Sequence, residues 1–227
     1  MVQHDLFFLW DQPFTLMIDE AIRWKTGDHL ENQRAATLIK TIMHIWIRMF
    51  GPMAGILTDQ EGGLMSNDAT RFFERLSITR YVVGTEAYHS KGLVERHIGI
   101  TKHGMLKMRS AMRAQGLDLS YSDLAYEITS AQNLLLDYGG TTPQMALTGQ
   151  QQRGFWQPES MNLDNNTGAL MEKPDFGEQQ VRSRLLAKQC ILEAVVQERL
   201  ALATKIKQHK HSQEILLPGQ AIDVWRQ

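Results

Sequence analysis

The chain has 227 residues, of which 43% are hydrophobic and 22% charged, and its formal net charge is −1. This length suits one sizeable domain with appended elements and is short for two full domains. A net charge near zero gives no whole-chain attraction to nucleic acid, so DNA binding would require a local basic patch. The single cysteine, Cys190, excludes an internal disulfide framework and a multi-cysteine zinc cluster, and its apolar neighbours predict a packed thiol.

The sequence shows no targeting or membrane-spanning segment. No apolar run approaches the roughly 20 residues that cross a bilayer. The amino-terminal stretch has no basic region and is interrupted by Asp5, which argues against a signal peptide. These features predict a soluble intracellular protein that makes no contact with membranes.

Two short apolar runs open the chain. Residues 6–10 predict either a strand or a packing lid, and residues 14–18 predict a buried strand that ends at Asp19. Gly27 and Asp28 then form a turn signal. We therefore predict a hairpin centred on these two residues, which would make the early part of the sheet antiparallel.

Helical and strand patterns alternate over the next hundred residues. The pattern predicts a helix over 32–50 capped by Asn32, a strand over 53–58 that ends at Asp59, a helix capped by Asn67 or Asp68, a strand over 78–83, a helix over 93–113, and a further helix capped by Ser120 or Ser122. Such a succession predicts a mixed α/β fold. In open α/β sheets, functional sites gather at the carboxyl ends of strands.

The chain divides into four predicted parts. Residues 1–137 form a core domain, and 138–176 form an irregular linker rich in Gly and Pro. Residues 177–212 form an amphipathic helix, and 213–227 form a turn and a strand. The helix has two interpretations: it contacts another protomer or DNA phosphates through its basic residues, or it lies on the core. Its predicted apolar stripe is Val181, Leu185, Leu192, Val196 and Leu200.

Three acids stand where such a fold places a metal site. Asp19 and Asp59 end predicted strands, and Glu95 lies in the first turn of a predicted helix. Together they can hold two hard divalent cations. The alternative for each is structural: Asp59 caps a turn, Glu95 favours its helix amino terminus electrostatically, and Asp19 is a solvated strand end. Glu20 is a rival ligand, but adjacent strand residues face opposite ways, and we predict that Asp19 faces the metals.

Sequence motifs around these acids resemble the integrase core of retroviruses and long-terminal-repeat retrotransposons. They are LTDQEGG, FFERLSI and AYHSKGLVERHIGITKHGMLK, with a looser likeness in AQNLLLDYGGTTPQMALTG. Asp59 matches the second acid of that family, and Glu95 with Arg96 matches its glutamate–arginine pair, with 35 residues between the two acids as in the family. Asp19 in FTLMIDEAIRW matches the first acid. The resemblance covers residues 14–150.

The resemblance implies an RNase H-like α/β fold, a mixed five-stranded sheet flanked by helices and followed by an extended linker and a long helix. It implies that Asp19, Asp59 and Glu95 hold two Mg²⁺ or Mn²⁺ ions. One ion would lower the pKa of a water or a DNA 3′-hydroxyl, and the other would stabilise the leaving oxygen. The implied reactions are 3′-end processing and strand transfer by a homo-multimer, with the double-stranded DNA of element ends and target as partners. The implied location is the nucleus, after a cytoplasmic stage.

The resemblance also suggests residues that contact DNA. Lys102 lies seven residues after Glu95 on one helix face, where the family has a DNA-contacting lysine. Lys91 is a candidate for a phosphate contact, Arg96 for loop support or DNA binding, and His89 for a DNA contact. The alternative for each is an ordinary solvated side chain.

The chain departs from the family in three places. The loop before the glutamate reads HSKGLVE and lacks the proline and asparagine of the family's loop. The family's zinc module of two His and two Cys is absent, since His4 and His29 have no cysteine partners. Residues 213–227 resemble only the first strand of the family's small β-barrel. These departures keep two alternatives open: a domesticated or decayed remnant that binds DNA or protein without catalysis, and a related nuclease or transposase.

Overall fold

The computed structural model describes residues 1–60, 62–82, 92–150 and 176–205, with the side chains of the last segment described over 179–201. Its elements are, in chain order, β1 (Val2–Leu9), β2 (Gln12–Asp19), β3 (Lys25–His29), α1 (Ala35–Ile42), a π-helical segment (Met43–Ile47), α2 (Arg48–Phe50), β4 (Gly55–Thr58), α3 (Asn67–Arg75), β5 (Thr79–Val82), α4 (Gly92–Ala114), α5 (Tyr121–Leu135), α6 (Pro143–Thr148) and α7 (Phe176–Lys205).

The five strands form one mixed sheet in the order β3-β2-β1-β4-β5. The first three strands pair antiparallel, and β4 and β5 run parallel to β1. The β1–β2 hairpin reverses at Trp10 and Asp11, whose φ angles are 53° and 58°. A two-residue turn with positive φ angles at both positions has a backbone twist that suits the right-handed twist of the flanking strands. The predicted mixed five-stranded α/β fold is confirmed.

Helices cover both faces of the sheet. Because side chains alternate along a strand, Phe7 and Val2 of β1 enter different cores. Phe7 packs with side chains of α4, α5 and α7, among them the buried methionines Met105, Met108 and Met112. Val2 packs with residues of α1 and α3. Each face of the sheet thus has its own hydrophobic cluster, and the three methionines are core residues.

The predicted hairpin at Gly27 and Asp28 is wrong. Both residues lie inside β3, and the chain reverses earlier, between the end of β2 and the start of β3. The glycine serves close packing. A Cβ built on Gly27 would lie 3.1 Å from the carbonyl oxygen of Thr15 and 3.2 Å from the methyl group of Thr129 on α5. A side chain there would push α5 off the sheet.

Gly27→Val is therefore expected to destabilise the fold by about 1–3 kcal/mol, the usual cost of overpacking a filled site. The measurement is the free energy of unfolding by urea. Thr26→Val is the matched control on the opposite face of β3. Its hydroxyl is buried without a hydrogen-bond partner, so the change to valine is expected to be neutral or stabilising. Equal stability of the Gly27→Val variant and the parent protein would contradict the packing role.

Helix ends differ from the prediction by a few residues. α1 begins at Ala35, and Asn32 lies before it, where its Oδ1 accepts hydrogen bonds from the backbone N–H of Arg34 (3.0 Å) and the hydroxyl of Thr37 (2.8 Å). The helical run through α2 ends at Phe50, as predicted, and Gly51 is its C-cap. The N-cap of α3 is Ser66, which directly precedes the predicted Asn67 and Asp68. The N-cap of α5 is Ser120, one of the two predicted residues.

The region predicted as a linker contains a short helix. Pro143–Thr148 forms α6, and the Thr142 hydroxyl accepts a hydrogen bond from the backbone N–H of Met145 at 3.2 Å. Residues 151–175 and 206–227 lie outside the described residues. The predicted strand in 213–227 therefore stays a prediction, as does the division of the chain at residue 137.

The apolar stripe predicted for the last helix is wrong for three of its members. Val181, Val196 and Leu200 are exposed. The face that packs on α4 and α5 instead contains small side chains as well as aliphatic ones, and the buried residues of α7 include Ser183, Leu186, Ala187, Cys190 and Ile191. Cys190 is a buried free thiol, as predicted, and burial raises its pKa. Of the two interpretations, the packing of α7 on the core is the one observed.

A partly buried ion pair also fixes α7 to the core. The guanidinium of Arg184 donates from Nε to Oε2 of Glu127 on α5 at 3.1 Å, and Glu127 is buried.

None of the described helices has a stretch long and apolar enough to cross a bilayer.

Candidate active site

The sheet brings Asp59 next to an acid of the first strand. β4 runs parallel to β1, and Gln3 lies opposite Leu57. Continued two residues past this last pair, the register reaches Asp5 of β1 and Asp59, the residue directly after β4. Residues at matching positions of neighbouring strands face the same side of the sheet, and such strands lie about 4.8 Å apart. The two carboxylates therefore leave the sheet side by side, Asp5 partly buried and Asp59 exposed.

The structure does not bring Asp19 to Asp59. Asp19 pairs with Val2 at the start of β1, so it lies two strands from β4 and about 10 Å back along the sheet. Its Oδ1 accepts hydrogen bonds from the backbone N–H groups of Ala21 and Ile22, both at 2.9 Å. Asp19 thus closes the β2–β3 turn. The prediction that it meets the second acid fails because β1, and not β2, is the neighbour of β4.

Helix α4 lies along β1 in the same direction. At its start, the backbone N–H of Val94 donates to Oε1 of Gln3 at 3.1 Å. Two turns later, Nζ of Lys102 lies 5.6 Å from the ring centre of Phe7. Eight residues of helix and four residues of strand cover nearly the same length, about 12 Å and 13 Å. The two contacts therefore fix the helix alongside the strand over this length.

These contacts place Glu95 on the side of the two aspartates. Asp5 lies midway between Gln3 and Phe7 on the same face of β1, so it faces α4 between the two contacts. Glu95 follows Val94 directly and is exposed. The three carboxylates thus come from neighbouring elements: Asp5 from β1, Asp59 from the residue after β4, and Glu95 from the first turn of α4.

The donors suit a hard cation, because carboxylate oxygens are the ligands preferred by Mg²⁺ and Mn²⁺. Among the residues that the structure describes, no three His, Cys, Asp or Glu side chains are already arranged to hold a metal ion. The backbone places Asp5, Asp59 and Glu95 near each other, and ion binding would require their side chains to turn toward a common point.

The predicted DNA contacts divide into two groups. Lys102 and Arg96 are on α4, where Lys102 is half-buried over Phe7 and Arg96 is exposed. Lys91 and His89 lie outside the described residues. The roles of all four in DNA binding stay predictions.

A buried polar chain lies beneath α4 and was not foreseen from the sequence. Nζ of Lys25 on β3 donates to Oη of Tyr138 at 3.3 Å, and Oη lies 3.2 Å from Nε2 of His97 on α4. Lys25 is fully buried. Burial, followed by the charge of Arg23, lowers the pKa of Lys25 to about 7. The chain joins β3, α4 and the segment after α5 through one tyrosine hydroxyl.

Burial also keeps the histidine of this chain neutral. Its pKa is lowered to about 3 by burial and then by the charges of Lys25, Arg23 and Arg96. The pKa of Tyr138 is raised to about 12, chiefly by burial. With His97 neutral, we assign its Nε2 as the acceptor of the Tyr138 hydroxyl proton, which leaves Oη free to accept from Lys25. Its Nδ1 is buried without a hydrogen-bond partner.

Sequence reasoning missed Asp5, although a signal was present. The residue precedes the apolar run LFFL, and the alternation of Val2, His4 and Leu6 extends the strand back across it. The predicted strand began at residue 6 and left the acid outside. In the sheet, β1 lies between β2 and β4, so the acid of β1 lies nearer to Asp59 than the acid of β2 does.

Comparisons with known proteins support this architecture. No family model matches the chain, and no curated protein sequence does. A simian T-cell lymphotropic virus intasome, solved in complex with the PP2A regulatory subunit B56 gamma, matches with a TM-score of 0.55 and 19% identity, over 67% of this chain and 55% of that one. The catalytic core domain of BIV integrase matches with a TM-score of 0.53 and 14% identity, over 64% of this chain and 91% of that one.

At these identities the likeness concerns the fold. The chain spans just over half the length of the intasome protein and nearly all of the isolated BIV core. The shared part is the mixed five-stranded sheet with its flanking helices. This protein has the fold of a retroviral integrase catalytic core.

Proposed function

We propose that this protein is the catalytic core of a retrotransposon integrase that transfers DNA strands, with Asp5, Asp59 and Glu95 as its metal-binding carboxylates. The observation that supports the proposal is the β1–β4 register, whose continuation leads to Asp5 and Asp59, together with the contact that holds the start of α4 to Gln3 of the same strand. In this proposal Asp5 takes the role that sequence reasoning gave to Asp19. Two bound Mg²⁺ or Mn²⁺ ions would activate the attacking hydroxyl and stabilise the leaving oxygen.

The chain's own residues would hold and orient the DNA. Asp59 and Glu95 are exposed and Asp5 is partly buried, so a phosphodiester could approach the three acids from solvent. Lys102 and Arg96 on α4, and Lys91 and His89 before it, are the proposed DNA contacts. The partners are the double-stranded DNA of element ends and target, bound by a homo-multimer in the nucleus. A local set of cations is needed because the net charge of −1 gives no steering of DNA.

A second candidate is a non-catalytic module that binds DNA or a protein partner. The observation that favours it is the lack, among the described residues, of three side chains already arranged around a metal position. Metal binding by the intact chain separates the two candidates.

Calorimetric titration with Mn²⁺ is the experiment. The wild-type protein is expected to bind, and Asp59→Asn and Glu95→Gln are expected to lose affinity by more than about 10-fold, because each removes a charged ligand. Asp118→Asn is the matched control. Asp118 is an exposed acid beyond the far end of α4, and the last residue of that helix, Ala114, lies about 29 Å along the helix axis from Glu95. Equal binding by all four proteins, with unchanged circular dichroism, would favour the non-catalytic module.

A further inference from the structure

Gln3 is a buried amide between the two elements that carry acids of the candidate site. It lies on β1 two residues before Asp5 and is only 4% exposed. Its Oε1 accepts the backbone N–H of Val94 at 3.1 Å, and its Nε2 donates to Oε1 of Glu20 at 2.8 Å. Both ends of the amide are therefore in use, and they join the first strand, the β2–β3 turn and the start of α4.

The contact with Val94 answers a requirement of the helix. The first four N–H groups of an α-helix have no acceptor within the helix. α4 begins at Gly92, so Val94 is one of these four residues. An unsatisfied N–H buried at that point would destabilise the folded protein. The amide oxygen of Gln3 can accept this N–H only when Val94 lies level with Gln3 along β1.

The position of α4 along β1 determines the distance between Glu95 and Asp5. Glu95 is the next residue after Val94, and Asp5 is on the same face of β1 as Gln3. A shift of the helix by one residue moves its side chains by 1.5 Å along the axis and turns them by about 100°. Such a shift would take Glu95 away from the aspartates. The Gln3 contact therefore fixes the separation between two proposed metal ligands that lie on different elements.

Glu20 holds the Gln3 amide in the orientation that directs its oxygen toward the N–H of Val94. Its carboxylate accepts the hydrogen bond from Nε2, so the oxygen of the amide, and not the nitrogen, faces the Val94 N–H. Without this partner the amide is free to rotate by 180° and to present N–H against N–H. Glu20 was a rival for metal binding on sequence grounds, and the structure gives its carboxylate this contact instead.

We propose that Gln3 is a positioning residue that sets the metal-site geometry by fixing the first turn of α4 to β1, with Glu20 as its orienting partner. The inference rests on the proposed function, because it assigns Gln3 a role toward the site formed by Asp5, Asp59 and Glu95. It predicts that metal affinity depends on a side chain that touches no metal.

Three variants test this role by Mn²⁺ calorimetry. Gln3→Met keeps the length of the side chain and removes both hydrogen bonds, and a fall in Mn²⁺ affinity of about 10- to 100-fold is expected, as for other partners of metal ligands. The double change Gln3→Glu with Glu20→Gln exchanges the amide and the carboxylate and can keep both hydrogen bonds. It is expected to restore most of the affinity.

Ile42→Val is the control for a general loss of stability. Ile42 is buried on α1, in the cluster on the opposite face of the sheet, and the change removes one buried methyl group, which lowers stability without altering the contact between β1 and α4. Its Mn²⁺ affinity is expected to equal that of the wild type at a temperature where both are folded. A purely structural role of Gln3 would make Gln3→Met behave like Ile42→Val.

Hydrogen exchange of the Val94 amide gives a readout that needs no metal. In the wild type and the exchanged pair, this amide is expected to be protected, and in Gln3→Met it is expected to exchange faster while amides in the middle of α4 keep their rates. Rapid exchange of Val94 in the wild type would overturn the proposal, and this measurement stands even if Gln3→Met does not fold.

The outcomes separate this inference from the proposed function. Wild-type Mn²⁺ binding that Asp59→Asn weakens, together with unchanged binding by Gln3→Met, overturns the positioning role alone. Absence of Mn²⁺ binding in the folded wild type overturns both proposals. Loss in Gln3→Met and recovery in the exchanged pair support both.

Discussion

Asp5→Asn is expected to reduce strand transfer by more than about 100-fold, while Asp19→Asn leaves most of the activity in place. A metal ligand should matter more than the partners of ligands, whose loss costs about 10- to 100-fold. Asp5 reaches Asp59 through the β1–β4 register, whereas Asp19 lies two strands away from β4. An asparagine at position 19 also keeps an oxygen for the N–H groups of Ala21 and Ile22, so the turn should survive.

The measurement is joining of a labelled double-stranded oligonucleotide to target DNA with Mg²⁺ or Mn²⁺, alongside Mn²⁺ calorimetry of the same variants. Calorimetry reports on the site even where joining by this chain alone is slow. Circular dichroism shows whether each variant is folded. The reverse pattern, with Asp19→Asn inactive and Asp5→Asn active, would restore the assignment made from sequence. Equal activity of both variants and the wild type would remove both aspartates from the mechanism.

The second large expected effect is a pH dependence of stability caused by the buried Lys25. The free energy of unfolding is expected to rise by up to about 1.4 kcal/mol per pH unit above pH 7. The lysine has an ordinary pKa of 10.5 in the unfolded chain and about 7 in the folded protein. Between these values the unfolded state binds more protons, so stability increases with pH. Below pH 7 both states carry the proton, and the cost of burying the charge is present in full.

Urea unfolding at pH 7, 8 and 9 measures this slope. Lys25→Met removes the titrating group and is expected to flatten the curve, while Lys40→Met, a change at an exposed lysine of α1, should follow the wild type. The range stops at pH 9 because Tyr138 acts in the opposite sense. Its pKa is raised to about 12, so stability falls between its ordinary value of 10 and that value. A flat wild-type curve, or an equal slope in Lys25→Met, would contradict the buried charge.

Local sequence signals were sufficient for two of the three proposed ligands. Asp59 follows a short apolar run, and Glu95 lies in the first turn of a helix with buried residues at helical spacing. Both acids could therefore be assigned to the end of a strand and the start of a helix without knowledge of the sheet. The first acid required knowledge of which strand lies beside β4. That neighbour is decided by packing of the whole chain. Asp19 and Asp5 both stand in apolar strands, and only the strand order separates them.

The other failures have a similar cause. Gly27 has the local character of a turn residue, and its place inside β3 depends on how closely α5 approaches, through contacts about 100 residues away in sequence. On α7, the large aliphatic residues suggested one face, but the face that packs includes Ser183, Ala187 and Cys190. Small side chains let helices approach closely, and a count of large apolar residues overlooks them. The Lys25–Tyr138–His97 chain joins three separate segments and has no local signature.

The position of β1 between β2 and β4 has a consequence for biosynthesis. The hairpin partner of β1 follows within a few residues, but its other neighbour, Gly55–Thr58, comes about 50 residues later. At roughly 5–20 residues per second, the ribosome needs on the order of 3–10 s to supply it. During that interval one side of β1 exposes unpaired backbone groups, which can template pairing with another chain. A nascent chain that stalls before β4 should therefore depend on chaperones, and slowed translation should increase its aggregation.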